Sequence, residues 1–180
     1  MRFRLAAQLF SLIIGLSIFS ISAHAEKADK DKPIALSSDK AQFDDVKQIY
    51  YLERNVLLIK GSLIIRGEKA EVKIDPEGYQ YVTIFAKPGE LASLRQKRDT
   101  GLNDFIEGFA ELIEYDGKTE IAILHKQARM NQISGTRVTD QLNGDKIHYD
   151  GNTEKYNVVS KASVKSTLSP RRKELTGPSK

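Results

Sequence analysis

A pattern beginning Tyr-Asp-Gly occurs twice in the chain. Tyr115 to Ala128 reads YDGKTEIAILHKQA, and Tyr149 to Ala162 reads YDGNTEKYNVVSKA. Tyr115, Asp116, Gly117, Thr119, Glu120 and Ala128 fall on Tyr149, Asp150, Gly151, Thr153, Glu154 and Ala162 without a gap. A looser copy, FDDVKQIYYLERNV, runs from Phe43 to Val56, and a degenerate one spans Ile74 to Ala86. Each copy joins a strand end to a second strand through a tight polar turn. Asp-Gly supplies the backbone freedom such hairpin turns require. Repetition at about 20–50 residues indicates a stacked or rolled architecture. The uneven starts leave a second reading open, in which these are the ordinary hairpins of an all-β domain.

The remaining chain carries the same punctuation. Ile34 and Leu36 stand two apart, Ala70, Val72 and Ile74 alternate with charged residues, and Tyr79 to Phe85 is rich in aromatic and β-branched residues. Val56 to Ile59 is a continuous apolar run, which is expected to be covered on both faces. Turns are expected at Gly61-Ser62, Arg66-Gly67, Pro88-Gly89 and Asn143-Gly144. The basic run Arg95 to Arg98, inside Leu91 to Asp104, reads as a long hairpin loop, with a short helix over Glu90 to Lys97 as an alternative of little apolar periodicity. No amphipathic helix of ordinary length emerges. About a dozen short strands between such turns predict an all-β sandwich, barrel or roll.

Arg2 and Arg4, the apolar stretch Leu5 to Ile21 and the small-x-small site Ala23-His24-Ala25 have the form of a cleaved secretory signal peptide over residues 1–25. Residues 26–32 are then expected to form a charged, flexible tail, 33–168 a single domain, and 169–180 a disordered basic tail. The chain has no Cys, so it contains no disulfide and no thiolate chemistry. An exported, cysteine-free chain fits a Gram-negative periplasm. Net charge falls from +4 to about +2 once Arg2 and Arg4 are set aside, too balanced to indicate a nucleic-acid partner. No nucleophile elbow, phosphate-binding glycine loop or His-Glu-x-x-His motif is present, and the three histidines share no metal-site spacing. The acids fall in turns and at alternating positions. No enzyme, cofactor or metal is expected.

Several segments then carry a family resemblance: Pro33-Ile34-Ala35-Leu36-Ser37-Ser38-Asp39, Asn55-Val56 leading to Gly61, Ile65 through Glu68-Lys69-Ala70, Lys87-Pro88, Gly144-Asp145-Lys146-Ile147-His148-Tyr149 and Leu168-Ser169-Pro170. In this order they resemble the LptA family of periplasmic lipopolysaccharide-transport proteins, with its OstA-like domain. The sequence departs from the family at Leu91, where an aromatic is common. The resemblance implies a folded-over antiparallel β-jellyroll, or β-taco, open at both ends. It implies a carrier that shields lipid A acyl chains and stacks head to tail as a homo-oligomeric bridge. The LptC periplasmic domain would dock at its N-terminal end and the LptD N-terminal domain at its C-terminal end.

Strand alternation puts Ile34, Leu36, Phe43, Ile49, Tyr51, Val72 and Ile74 on inward faces. Matching to the family places Ile34, Leu36, Phe43 and Leu91 in its lipid groove, so Ile34, Leu36, Phe43, Ile49, Tyr51 and Leu91 are the expected lipid-binding set. Each acyl methylene buried there contributes roughly 0.8 kcal/mol. Ordinary core packing explains the same residues, and a periplasmic β-roll scaffold without ligand stays open as an alternative. The expected docking edges are the first strand, with Ile34, Leu36 and Ser38, and the last, with Ala162, Val164 and Ser166.

Overall fold

The structure is a computed structural model and describes Asp29 and residues 32–170. The expected signal peptide and most of the basic C-terminal tail lie outside the described residues. Twelve strands follow in order: β1 Ile34–Ser37, β2 Lys40–Asp44, β3 Ile49–Lys60, β4 Leu63–Ile74, β5 Gln80–Phe85, β6 Ala92–Lys97, β7 Asp104–Ala110, β8 Leu112–Asp116, β9 Ile121–Ser134, β10 Arg137–Asp150, β11 Lys155–Val159 and β12 Lys165–Leu168. All pair antiparallel in one sheet.

That sheet is folded over on itself. β3, β4, β9 and β10 are long, and each crosses a crease that divides it between two leaves. Leaf one holds β1, residues 56–60 of β3, 63–67 of β4, β6, β7, 128–134 of β9, 137–144 of β10, and β12. Leaf two holds β2, residues 49–53 of β3, 69–74 of β4, β5, β8, 121–125 of β9, 146–150 of β10, and β11.

The crease has a local chemical cause. Arg54 and Asn55 (φ 61° and 52°), then Lys126 and Gln127 (φ 61° and 51°), are consecutive left-handed residues. Register shifts occur at Glu53/Val56 and at Gly144/Lys146, the bulges that bend a strand. Gly67 lies at the crease, close against β5 of leaf two. A Cβ there would stand 2.4 Å from Ile84 Cγ2 and 2.8 Å from the Phe85 carbonyl oxygen. The crease is itself hydrogen-bonded, from Ala86 N to Glu111 O at 2.9 Å and from Glu111 N to Lys126 O at 3.1 Å.

Several sequence expectations are corrected here. Arg66-Gly67 is not a turn but lies inside β4, and Asn143-Gly144 lies inside β10. Both glycines serve the bend. The basic run is not a loop: Arg95 to Lys97 belong to β6, whose burial alternates strictly through Ala92, Leu94 and Gln96. Val56 to Ile59 is covered on one face only, since Val56 and Leu58 are buried while Ile59 is 37% exposed. Asp29, expected in a mobile tail, is buried and accepts hydrogen bonds from the backbone and hydroxyl of Ser62.

The four repeat copies are structurally real as hairpins, all on the rim of leaf two opposite the crease. In each, an Asp carboxylate ends a strand and accepts backbone N–H groups of the turn. Asp116 Oδ1 takes Lys118 N at 2.8 Å, and Asp150 Oδ1 takes Asn152 N at 2.9 Å. Asp44 Oδ1 takes Lys47 N at 3.0 Å, and Asp75 Oδ1 takes Glu77 N at 2.9 Å. A left-handed residue closes the turn, namely Gln48, Gly78, Glu120 and Glu154.

Between the leaves lies one core. It includes Leu58, Ile65, Ile84, Leu94, Ile106, Leu124, Met130 and Ile147, each at most 1% exposed. Burying each such side chain contributes about 1.5–3 kcal/mol.

Candidate functional site: an apolar groove with a clasped mouth

At the N-terminal end the core runs out into a partly covered apolar lining. Ile34 and Leu36 of β1 stand opposite Lys60 and Leu58 of β3, on the inward face, and pack against the core while half-buried. Phe43 of β2 stacks on Tyr50 of β3, with ring centroids 4.2 Å apart, and remains 42% exposed. Tyr50 in turn packs on the core, opposite Val72. Val72 and, by phase, Ile74 face inward.

Three of the expected groove residues are placed elsewhere. Tyr51 is on the outer face, because Tyr50 and Leu52 take the inward positions. Ile49 shares the outer phase of Tyr51 and stands outside the core cluster, although it is itself buried. Leu91 lies in the loop before β6, on the outer side of the crease. It lines a separate cleft of about 780 Å³ with Phe85, Lys87, Leu112 and His125. The structure therefore brings Ile34, Leu36 and Phe43 together and does not bring Ile49, Tyr51 or Leu91 to them.

The sheet has an edge pair at each end. β1 and β2 form the N-terminal edges of the two leaves, β12 and β11 the C-terminal edges. Ser38 follows β1, and its hydroxyl donates to the Lys40 carbonyl at 2.9 Å. Ala162 and Val164 precede β12 rather than lying in it, whereas Ser166 pairs with Leu142. At this end Leu142, Tyr156 and Val158 pack on the core, and Leu168 is 71% exposed. Sequence reading missed these, along with Tyr50. Tyr156 carries a findable signal, because it stands across from the repeat tyrosine Tyr149 and stacks on it at 4.9 Å.

The mouth, where the free rims of the leaves meet, is polar. Lys60 of leaf one is 1% exposed, and its Nζ lies 3.0 Å from Glu120 Oε1 of leaf two. The Tyr115 hydroxyl donates to Glu120 Oε2 at 2.7 Å, and Lys60 Nζ also reaches the Gly117 carbonyl at 3.5 Å. A second pair, Arg98 with Glu154, spans the same mouth, and Arg98 Nη1 donates to Gln132 at 3.2 Å. Within the basic run, Arg95 pairs with Glu107 and stacks on Phe105 at 4.2 Å. Arg95 and Arg98 thus both have carboxylate partners within the chain. Among the described residues, no three His, Cys, Asp or Glu side chains converge on a metal-sized site.

A family model described as LptA/(LptD N-terminal domain) LPS transport protein matches residues 35–155. The chain belongs to this family. The lipopolysaccharide export system protein LptA of Haemophilus influenzae is 25% identical over 169 residues, covering 93% of this chain and 94% of that protein. The lipopolysaccharide export system protein LptH of Pseudomonas aeruginosa is 26% identical over 163 residues, with 89% and 87% covered. The crystal structure of LptH, described as the LptA-homologous periplasmic component of a lipopolysaccharide transport device, matches with a TM-score of 0.70 at 22% identity. It covers 79% of this chain and 99% of that one. The all-β jellyroll of the LptA family is therefore the fold of this chain.

Burial, and then the neighbouring Glu120 carboxylate, push the Tyr115 hydroxyl above its ordinary pKa in this LptA-family roll. The folded state thus holds the tyrosine proton more tightly than the unfolded chain. Stability from this group is complete below the unfolded value near pH 10 and falls as pH rises through it. Alkaline titration of the folding free energy should show a downward slope above about pH 10, shallower in Tyr115→Phe. Equal slopes in both proteins would remove Tyr115 as its source.

Proposed function

We propose that the chain is a periplasmic lipopolysaccharide carrier of the export bridge, sheltering lipid A acyl chains between its leaves. The observation that carries this reading is the partly covered apolar lining Ile34, Leu36, Phe43 and Tyr50 at an open end of a roll of this family. Acyl methylenes laid on such a surface leave water without any polar grip, at roughly 0.8 kcal/mol each.

The edges support the rest of the reading. β1 and β2 at one end, and β11 and β12 at the other, present strand edges that lack a neighbour among the described residues. Such edges template pairing with another chain, and unlike ends joined without closure build a filament. Head-to-tail copies, an LptC-type domain at the N-terminal end and an LptD-type domain at the C-terminal end satisfy these edges. Residues 1–25 would direct export and be cleaved.

Photo-crosslinking in cells at Phe43, with Gln42 as its neighbour on the opposite face, tests the groove. Adducts with lipopolysaccharide are expected at Phe43 and not at Gln42, which pairs with the outward Tyr51. A folded protein giving adducts at neither position would favour the scaffold reading.

A further inference from the structure

The space between the leaves is full. Leu58, Ile65, Ile84, Ile106, Leu124 and Ile147 have no exposed surface, so an acyl chain going deeper than the N-terminal lining must part the leaves. The covalently continuous crease holds one side. Parting therefore occurs at the mouth, where the obstacles are Lys60–Glu120 and Arg98–Glu154.

We propose that these two ion pairs are a releasable clasp that governs lipid access from the N-terminal end, a proposal that rests on the carrier reading above. Three observations converge on it. First, Glu120 and Glu154 are the same residue of the repeat, each closing its turn in the left-handed conformation (φ 57° and 52°), and each pairs with leaf one. Second, the other two copies have no such grip. Gln48, at the matching place in the first, turns its amide back onto Asp45 O at 2.6 Å, and the second closes with Gly78. Among the described residues, then, the two N-terminal turns of leaf two make no ion pair with leaf one, and Phe43, beside the first of them, is uncovered, while Ile34 stands next to Lys60 itself. Third, the seal is ionic. Attraction between buried charges is largely offset by their lost hydration, and that hydration returns when the pair separates. An apolar seal would instead expose its surface to water on opening. Charges at this line make a join that holds the closed roll in register and opens at small cost.

The cysteine-free sequence makes the test clean. In the full mature chain, Lys60→Cys and Glu120→Cys are bridged with a thiol-reactive linker that contains a reducible spacer, and purified lipopolysaccharide is the probe. The bridged protein should bind at least about tenfold more weakly than the same protein after reduction, because its binding-competent open form is removed. Equal binding before and after reduction would overturn the clasp while leaving the carrier reading intact. Failure of the unmodified protein to bind would overturn the carrier reading itself. A second variant, Lys60→Met with Glu120→Leu, keeps the mouth closed by apolar contact. It should take up lipopolysaccharide at least about tenfold more slowly than the unmodified protein. Uptake at the unmodified rate would also overturn the clasp.

Discussion

Glu120→Ala should lower the folding free energy by about 3–5 kcal/mol, measured as a shift in the urea midpoint at neutral pH with an unchanged slope. The size follows from what is left behind. Lys60 stays 1% exposed, and among the described residues its ammonium keeps the Gly117 carbonyl at 3.5 Å and the Tyr115 ring with its centroid 5.8 Å away, neither of them a counter-charge. The Tyr115 hydroxyl also loses its acceptor. Replacing both ions together by Lys60→Met and Glu120→Leu strands neither charge and leaves only the Tyr115 hydroxyl without its acceptor, so the double variant should lose no more than about 1–3 kcal/mol, less than Glu120→Ala. The exposed pair Lys40–Glu53 is a useful contrast. It is equally short at 3.1 Å, but its side chains are 58% and 39% exposed, so Glu53→Ala should shift the urea midpoint far less than Glu120→Ala. A small loss for Glu120→Ala would mean that water reaches Lys60 in the closed roll.

Ile113→Ala should cost about 2–5 kcal/mol, and the adjacent Leu112→Ala about 1 kcal/mol or less, again by urea denaturation. Ile113 is 1% exposed in β8, with Ile84 and Leu124 as its cross-strand neighbours inside the roll. Its truncation leaves a void that a close-packed interior fills only in part. Leu112 stands opposite Phe85 and His125 on the outer face, lining the cleft at the crease, and the vacated space is open to solvent. Comparable losses at the two positions would show that the outer cleft is covered in solution.

Leu112 and Ile113 illustrate why the faces were hard to read. Two adjacent apolar residues carry no phase of their own, and the same holds for Ile49-Tyr50-Tyr51-Leu52. Alternation there fits Ile49 and Tyr51 inward as well as Tyr50 and Leu52, and pairing with Phe43 and Val72 selects the second. Where charged residues interrupt the pattern, as from Ala70 to Ile74, the inward face was legible. Family matching places Leu91 in the groove, whereas its neighbours at the crease place it outside.

Turn chemistry was legible in proportion to its locality. An Asp that receives the N–H groups of the next few residues is a local interaction, so all four repeat hairpins could be found from the sequence. Gly67 and Gly144 look like turns in the sequence because glycine signals backbone permissiveness or close approach without saying which. Both prove to be close approaches, to Ile84 and Phe85 in one case and to Val158 and Val159 in the other.

The sequence alone thus determined an all-β chain of Asp-capped hairpins, its likeness to a transport family and the inward phase of Ile34, Leu36, Phe43, Val72 and Ile74, because these rest on local periodicity and short motifs. The tertiary structure decided where the long strands bend, which of two adjacent apolar residues faces inward, and that Lys60 meets Glu120 and Arg98 meets Glu154. Those outcomes depend on residues far apart in the chain, brought together only when the two leaves close.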